Sequence, residues 1–406
     1  MVTQNAAGKN TPLRRERILG LLAVATLAAA WWIGLQLENS GIESHLRELW
    51  PGADHFRTTT AGFYAAYSDP QAKQLIGYVG TGSASGYGGP MTVAVGVDLQ
   101  GNLQGIVVLT QRETPVWFRK VADSGLISSL LGKNYQDPFR LSQDVDGITG
   151  ATVTSRAIVE SVRRGARAVA GDQLGFALPA QASSKINFGP PEIAVLGLFA
   201  LGYFGHQAKF KYMKQLRWAA MLIGLVALGF IYNLPLSLSN INTFLLGFWP
   251  PWQTNLYWYL LMGGILFVFA ADNKNPYCQW FCPFGAAQEC VGVVGKARSY
   301  SSRRYRGLLA WLLRGLVWFA ILLALLFRNP GLTSYEIFGT LFSLMGSSLQ
   351  FILLGMVLVA SLFVKRPWCA YLCPITPIDA FIRMVREWSL QQWRTLRRNK
   401  KRSPAT

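Results

Sequence analysis

Charge is what this 406-residue chain has little of: 15% of its residues are charged, against about 25% in an ordinary soluble domain. Acidic residues are the scarcer sign, 20 against 39 lysines and arginines. With 51% hydrophobic residues and 14 tryptophans, the composition excludes a disordered chain and argues against an ordinary cytosolic enzyme. Histidine is nearly missing, with only His45, His55 and His206. A membrane cytochrome b needs paired axial histidines within its helices, and this chain cannot supply them alone. Cysteine is sparse too: Cys278, Cys282, Cys290, Cys369 and Cys373, with none between positions 40 and 188. A disulfide framework is therefore excluded from that stretch.

The net charge of +19 has a distribution that argues against nucleic acid as a partner. Residues 40–188 hold 13 basic and 12 acidic residues, and the other 26 basic residues cluster beside apolar runs. That pattern belongs to membrane topology. Six apolar runs read as spanning helices: Ile18–Leu37, Pro191–Phe204, Trp218–Tyr232, Leu256–Ala271, Leu308–Phe327 and Leu349–Val364. The first could be a cleaved signal peptide at Ala28-Ala29-Ala30. The apolar run continues through Trp31, Trp32, Ile33 and Leu35, so an uncleaved anchor is the better reading. With the N-terminus inside, 24 of the 26 basic residues outside 40–188 fall on the inner side. Only Arg314 and Arg328 remain. Arg314 lies within the fifth run, where it is either a functional charge or a side chain snorkelling to the inner surface; snorkelling is favoured.

The chain thus reads as a multidomain membrane protein, multi-pass in a cell inner membrane. Residues 1–39 are a cytoplasmic N-terminus and anchor, and 40–188 an extracytoplasmic domain inserted after the first of about six helices. Residues 189–382 form a five-helix membrane domain, and 383–406 a basic cytoplasmic tail. The outer domain is α+β. Met91–Val97 and Gly105–Thr110 read as strands around a turn at Asp98–Gly101, and Ile158–Val169 as a helix. Gly80–Gly89 is glycine-dense, which suits close approach to a ligand or an ordinary loop. The run Asp146–Ser155 leads into the helix. Its hydroxyls and backbone N–H groups suit a phosphate or a simple helix cap.

Thr149-Gly150-Ala151-Thr152-Val153-Thr154 resembles the flavinylation motif of the FMN-binding domain shared by the RnfG, NqrC and NosR families. Gly86-Tyr87-Gly88-Gly89-Pro90, the strand after it, and Glu113-Thr114-Pro115 resemble that domain in order and spacing. The resemblance implies FMN joined through a phosphoester bond to Thr154 by a flavin transferase. Thr149, Gly150, Ala151, Thr152, Gly86, Tyr87, Gly88, Gly89 and Glu113 then line the cofactor. The flavin would carry the chemistry, and the protein would anchor and orient it.

Cys278-Gln279-Trp280-Phe281-Cys282-Pro283 follows the fourth span, and Cys369-Ala370-Tyr371-Leu372-Cys373-Pro374 follows the sixth. Each is C-x3-C-P, and the second pair lies 91 positions after the first. Asn240–Gly247 and Glu336–Phe342 precede the spans that carry the pairs, so each half looks like a copy of the other. Two spans per copy keep the copies parallel, with both pairs at the cytoplasmic face. Four thiolates there suit an iron–sulfur cluster or zinc, or are buried free thiols; a neighbouring flavin domain favours redox. Cys290 has Phe381 at its repeat position and reads as packing.

The whole pattern resembles the NosR/NirI family of membrane flavoproteins, which support nitrous-oxide or nitrite respiration. Members continue into a ferredoxin-like module with further cysteine motifs, whereas no cysteine follows Cys373 here. The resemblance implies an electron-transfer oxidoreductase component of denitrification. Its donor would be a ferredoxin-like protein or quinol, and its acceptor an extracytoplasmic reductase or carrier. A membrane redox sensor and a metalloenzyme maturation factor are the alternatives. The tail Arg383–Arg402 suits anionic membrane lipid or an acidic ferredoxin. A hydrocarbon core of about 30 Å leaves a gap between cytoplasmic cysteines and an outer flavin that one electron hop would not cross.

Overall fold

The computed structural model describes residues 11–37, 41–59, 62–86, 88–113, 115–141, 143–147, 152–180, 186, 188–207, 212–273, 275–298, 306–333 and 335–402. Helix α1 (Thr11–Leu37) is followed by a short helix α2 (Leu46–Leu49), which leads into a domain built on a sheet. Strands β1 (His55–Thr58), β2 (Tyr64–Tyr67), β3 (Leu75–Ser85), β4 (Pro90–Asp98) and β5 (Leu103–Thr110) form one antiparallel sheet in sequence order. Helices α3 (Pro115–Ala122), α4 (Leu126–Ser129) and α5 (Thr152–Asp172) follow. The two faces of the sheet follow from strand alternation. Met91, Val93, Val95 and Val97 pack with Ile158, Val162, Ala166 and Val169 of α5, while Ala66, Val79 and Ala94 pack under Ile42, Leu46, Leu49 and Trp50. Helices gathered on an antiparallel sheet make the domain α+β, as expected.

The expected strands Met91–Val97 and Gly105–Thr110 are the bodies of β4 and β5, and the expected helix Ile158–Val169 is the middle of α5. The glycine-dense stretch departs from the loop reading. Gly80 and Gly82 lie inside β3, where α5 crosses the sheet. A Cβ on Gly82 would stand 2.0 Å from the Ser161 carbonyl oxygen and 2.3 Å from the Gly165 nitrogen. These two glycines admit a helix instead of a ligand.

The remaining helices are α6 (Pro190–Gln207), α7 (Met213–Ile223), α8 (Leu238–Leu246), α9 (Leu256–Asp272), α10 (Pro283–Val294), α11 (Arg306–Leu326), α12 (Phe338–Ser343), α13 (Ser348–Phe363), α14 (Pro367–Tyr371) and α15 (Ile375–Arg402). Helix α7 continues in a wider π-type winding through Gly224–Ile231. Among the described residues, Glu16–Leu37, Met213–Ile231 and Gly307–Leu326 are long and apolar enough to cross a membrane. Pro190–Gly205, Leu256–Ala271 and Ser348–Phe363 are shorter apolar helices. Each of the six expected spans falls on one of these.

Helix α1 packs in parallel along α11. Glu16 pairs with Arg314 at 3.6 Å, Trp318 Nε1 donates to Thr26 Oγ1 at 3.1 Å, and Gly34 presses on the Leu325 carbonyl. Arg314 is thus occupied by an ion pair and by the face of Trp311, 4.8 Å away. The two halves repeat the same order of apolar helix, short helix, apolar helix and cysteine pair, with α8 and α12 as the short helices. The basic segment expected from position 383 continues a helix that starts at Ile375. Arg383 Nη1 donates to the Asn273 carbonyl at 2.8 Å and Arg386 Nε to the Ala270 carbonyl at 3.2 Å, placing cations at the C-terminal end of α9 where the helix dipole favours them.

Candidate functional site

Thr154 sits in the first turn of α5 with only 3% of its surface exposed. Its hydroxyl donates to Glu113 Oε2 at 2.7 Å, and the Gly88 backbone N–H donates to Glu113 Oε1 at 3.3 Å. Glu113 is itself buried. The chain turns tightly at 86–89, with the Gly86 N–H bonded to the Gly89 carbonyl at 2.8 Å. A Cβ on Gly88 would stand 1.8 Å from the Arg112 carbonyl oxygen, and one on Gly86 2.0 Å from Glu113 Oε1. So Gly86, Gly88, Glu113 and Thr154 come together as the motif suggested, with Thr152 exposed beside them. Gly89 lies against Arg112 and Phe248. Tyr87, Thr149, Gly150 and Ala151 lie outside the described residues. A hydroxyl at a helix N-terminus, where free N–H groups favour phosphate, fits the phosphate end of FMN.

Arg112 ties this corner to the membrane part. Its Nε donates to the Arg328 carbonyl at 2.8 Å and its Nη1 to the Pro90 carbonyl at 2.8 Å. Its guanidinium lies 4.5 Å from the centre of the Phe248 ring, which Arg328 also faces at 4.9 Å.

The two cysteine pairs share one local winding. The Cys282 N–H bonds back to the Tyr277 carbonyl at 2.7 Å, and the Cys373 N–H to the Trp368 carbonyl at 2.9 Å. Each closes a five-residue step, and each is followed by the proline that opens α10 or precedes α15. Cys278, Cys282 and Cys373 lie in or against the core of the helix bundle with Leu228, Leu261, Phe269, Leu354 and Val357. Buried thiols of this kind are inert unless a positive centre binds them. Cys290 feels Glu289 but none of the other four, in keeping with a packing role.

Among the described residues, no three Cys, His, Asp or Glu side chains are grouped to hold a single metal ion. Zinc would draw four sulfurs to about 2.3 Å of one point. A four-iron cluster takes one thiolate at each iron, so its ligands need not converge. Four cysteines match the ligand count of a four-iron cluster, one thiolate at each iron. Trp368 Nε1, one residue before Cys369, is buried without a hydrogen-bond partner among the described residues, as a donor beside a sulfur-rich group would be.

Several residues around the cysteines escaped the sequence reading. The Asn275 amide donates to Cys278 Sγ at 3.3 Å and to Asp379 Oδ1 at 3.3 Å, and Gln288 Nε2 donates to Cys369 Sγ at 3.5 Å. Arg366 Nη1 donates to the Cys278 carbonyl at 2.8 Å, and its Nε pairs with Glu289 at 2.7 Å. The signal was present in the repeat: Asn275 and Arg366 are 91 positions apart, as are Gln288 and Asp379. A further surprise is Tyr335, whose hydroxyl donates to the Leu372 carbonyl at 3.0 Å, inside the second pair. Tyr335 and Phe338 also pack on Trp368, each with ring centres 6.2 Å away. Arg328 thus meets Arg112, while Tyr335 and Phe338, a few positions on, meet the residues around the second cysteine pair.

Comparison with known proteins agrees with this division. Residues 86–167 match the family model described as an FMN-binding domain. Residues 254–301 and 349–402, one stretch for each cysteine pair, match the model described as a 4Fe-4S binding domain. The chain therefore carries an FMN-binding domain and a 4Fe-4S binding domain, with FMN and an iron–sulfur cluster as its cofactors, beside apolar helices of the kind that associate with membranes. Protein NirI of Paracoccus denitrificans is 29% identical over 207 residues, covering 45% of this chain and 29% of NirI. A component of the ion-translocating oxidoreductase complex of Stutzerimonas stutzeri is 34% identical over 125 residues, 28% of this chain and 55% of that component. The putative electron transport protein YccM of Escherichia coli is 26% identical over 133 residues, 29% of this chain and 37% of YccM. The chain thus spans between 29% and 55% of the length of these relatives. These matches bear out the resemblance to a NosR/NirI-type FMN-binding membrane protein.

Proposed function

We propose that the chain conducts electrons through an inner membrane between a cluster held by Cys278, Cys282, Cys369 and Cys373 and an FMN joined to Thr154. It would serve an extracytoplasmic reductase such as nitrous-oxide reductase. The observation that carries this reading is the 328–338 segment. Its Arg328 carbonyl is held by Arg112, next to Glu113 and Thr154, and its Tyr335 hydroxyl by Leu372, next to Cys373. The bound groups supply one- and two-electron carriage. The residues supply position: Thr154 gives the hydroxyl oxygen to be esterified, and Glu113 holds that hydroxyl. Arg112 keeps the corner against the membrane part. Six spans with the N-terminus inside are supported by the basic residues and by α1 running parallel to α11. Thr152, Gly86, Gly88 and Gly89 would shape the flavin end, together with Tyr87, Thr149, Gly150 and Ala151. A flavin transferase would load the FMN, and a ferredoxin-like protein or quinol would donate electrons. The basic α15 would meet anionic lipid.

The test is flavin fluorescence of the denatured protein band after co-expression with a flavin transferase. Wild type should fluoresce, and Thr154→Ala should lose the signal entirely. A fluorescent Thr154→Ala band would remove the anchor from Thr154. A dark wild-type band, with the transferase active on a control, would remove covalent FMN.

A further inference from the structure

The amides of Asn275 and Gln288 each reach a cysteine sulfur, and their orientation is fixed by their other partners. Asn275 Oδ1 accepts the Cys278 backbone N–H at 3.2 Å, so its Nδ2 must be the group that faces Cys278 Sγ at 3.3 Å. The acceptor Asp379 Oδ1, also at 3.3 Å from Nδ2, requires the same orientation. Gln288 Oε1 accepts the Trp368 backbone N–H at 2.9 Å, so its Nε2 faces Cys369 Sγ at 3.5 Å and the Phe284 carbonyl at 3.3 Å. Neither amide can flip without setting donor against donor. Both side chains are buried, Asn275 at 2% and Gln288 at 0% exposure, so water does not compete for these bonds. They reach the first cysteine of each pair, Cys278 and Cys369, although both amides lie in the first half of the repeat.

We propose that Asn275 and Gln288 are positioning residues that tune the cluster, donating N–H···S hydrogen bonds to Cys278 and Cys369 and so holding its reduction potential higher. This rests on the reading of the four cysteines as cluster ligands. A cluster that accepts one electron gains one negative charge, which spreads onto its sulfurs. A hydrogen-bond donor stabilises that reduced form more than the oxidised one, and hydrogen bonds to sulfur are among the factors that set cluster potentials. The bonds act in a buried site, where an unscreened donor counts for more than in water.

The experiment is a dithionite titration of the full chain in detergent with its cluster reconstituted, with iron content read first. Gln288→Met and Asn275→Leu should keep their iron and titrate at lower potential than wild type, and the double variant lower still. Pulsed EPR on reduced wild type prepared in D2O should show deuteron couplings from both amides, with one lost in each single variant. That wild-type measurement decides the matter even where a substitution destabilises the fold. Variants that keep both the wild-type potential and both couplings would overturn the proposal. So would a wild type without amide deuteron couplings. Failure of the ligand reading looks different: wild type would bind no iron, or Cys373→Ser would keep all of it.

Discussion

A methyl group at position 82 would stand 2.0 Å from the Ser161 carbonyl oxygen, inside the crossing of β3 and α5. Backbone atoms on both sides leave it nowhere to go, so the helix must lift from the sheet. Gly82→Ala should destabilise the α+β domain by about 1–3 kcal/mol, the usual cost of overpacking. Because α5 carries Thr154 in its first turn, it should also lower the fraction of chains loaded with flavin. Thermal unfolding and flavin fluorescence of the same preparation would check both. At this scale the sequence is legible where chemistry is local. Thr154 and the four cysteines announce themselves by motif, since neighbouring residues form the motif. Asn275 and Gln288 do not, because an amide is an ordinary polar residue until the fold brings a sulfur beside it.

The β4–β5 hairpin shows which elements a sequence reveals. Alternating valines mark β4, and Asp98 and Gly101 mark its turn. Asp98 accepts from the Gln100 and Asn102 N–H groups at 2.9 and 2.8 Å and from the Gln104 amide at 2.9 Å. Burial alone would raise this carboxyl, but these bonds outweigh it and hold the group below its ordinary 3.8. A carboxyl depressed in the folded state stabilises it above the unfolded value and loses that contribution as pH falls through the folded one. Asp98→Asn should therefore cost about 1 kcal/mol at neutral pH, given its partial exposure, and almost nothing well below pH 3.8. Amide hydrogen exchange across β4 and β5 in the intact chain would read the difference. The other strands were hidden for physical reasons. Strands β1 and β2 have four residues each, too few to show alternation. Strand β3 carries Gly77, Gly80 and Gly82, which lower strand propensity locally while fitting Trp50 and α5 overhead. Likewise α8 and α12 are too short to stand out by periodicity, and only the repeat marks them.

Across the whole molecule, hydropathy marked the six apolar helices, because lipid imposes that composition on a span. It gave nothing of how segments fold back between the helices. The cysteine pairs do follow α9 and α13, as the sequence suggested. Their burial was not legible: Trp368 is 1% exposed among Phe284, Phe338 and Tyr335, and Cys373 shares the bundle core. The segment after α11 meets the segment after α13, with the Tyr335 hydroxyl bonded to the Leu372 carbonyl. Long-range meetings of this kind leave no local trace in a sequence.

The burial of the cysteine pairs in the helix core has an energetic consequence. A charge driven through the full membrane voltage changes energy by about 2.3 kcal/mol per 100 mV. In the proposed orientation, cysteines packed into that core beside Tyr335 and Phe338 would lie part-way through the insulating layer, so an electron leaving them for the flavin would traverse only a fraction of that voltage. Electron delivery should then respond weakly to an imposed potential. In sealed vesicles, the rate of flavin reduction should change by much less than the full-drop expectation when a potential is applied; a full response would place the cysteines at the edge of the layer. The depth at which the helix core holds these cysteines would thus decide how strongly the energised state of the membrane taxes each electron.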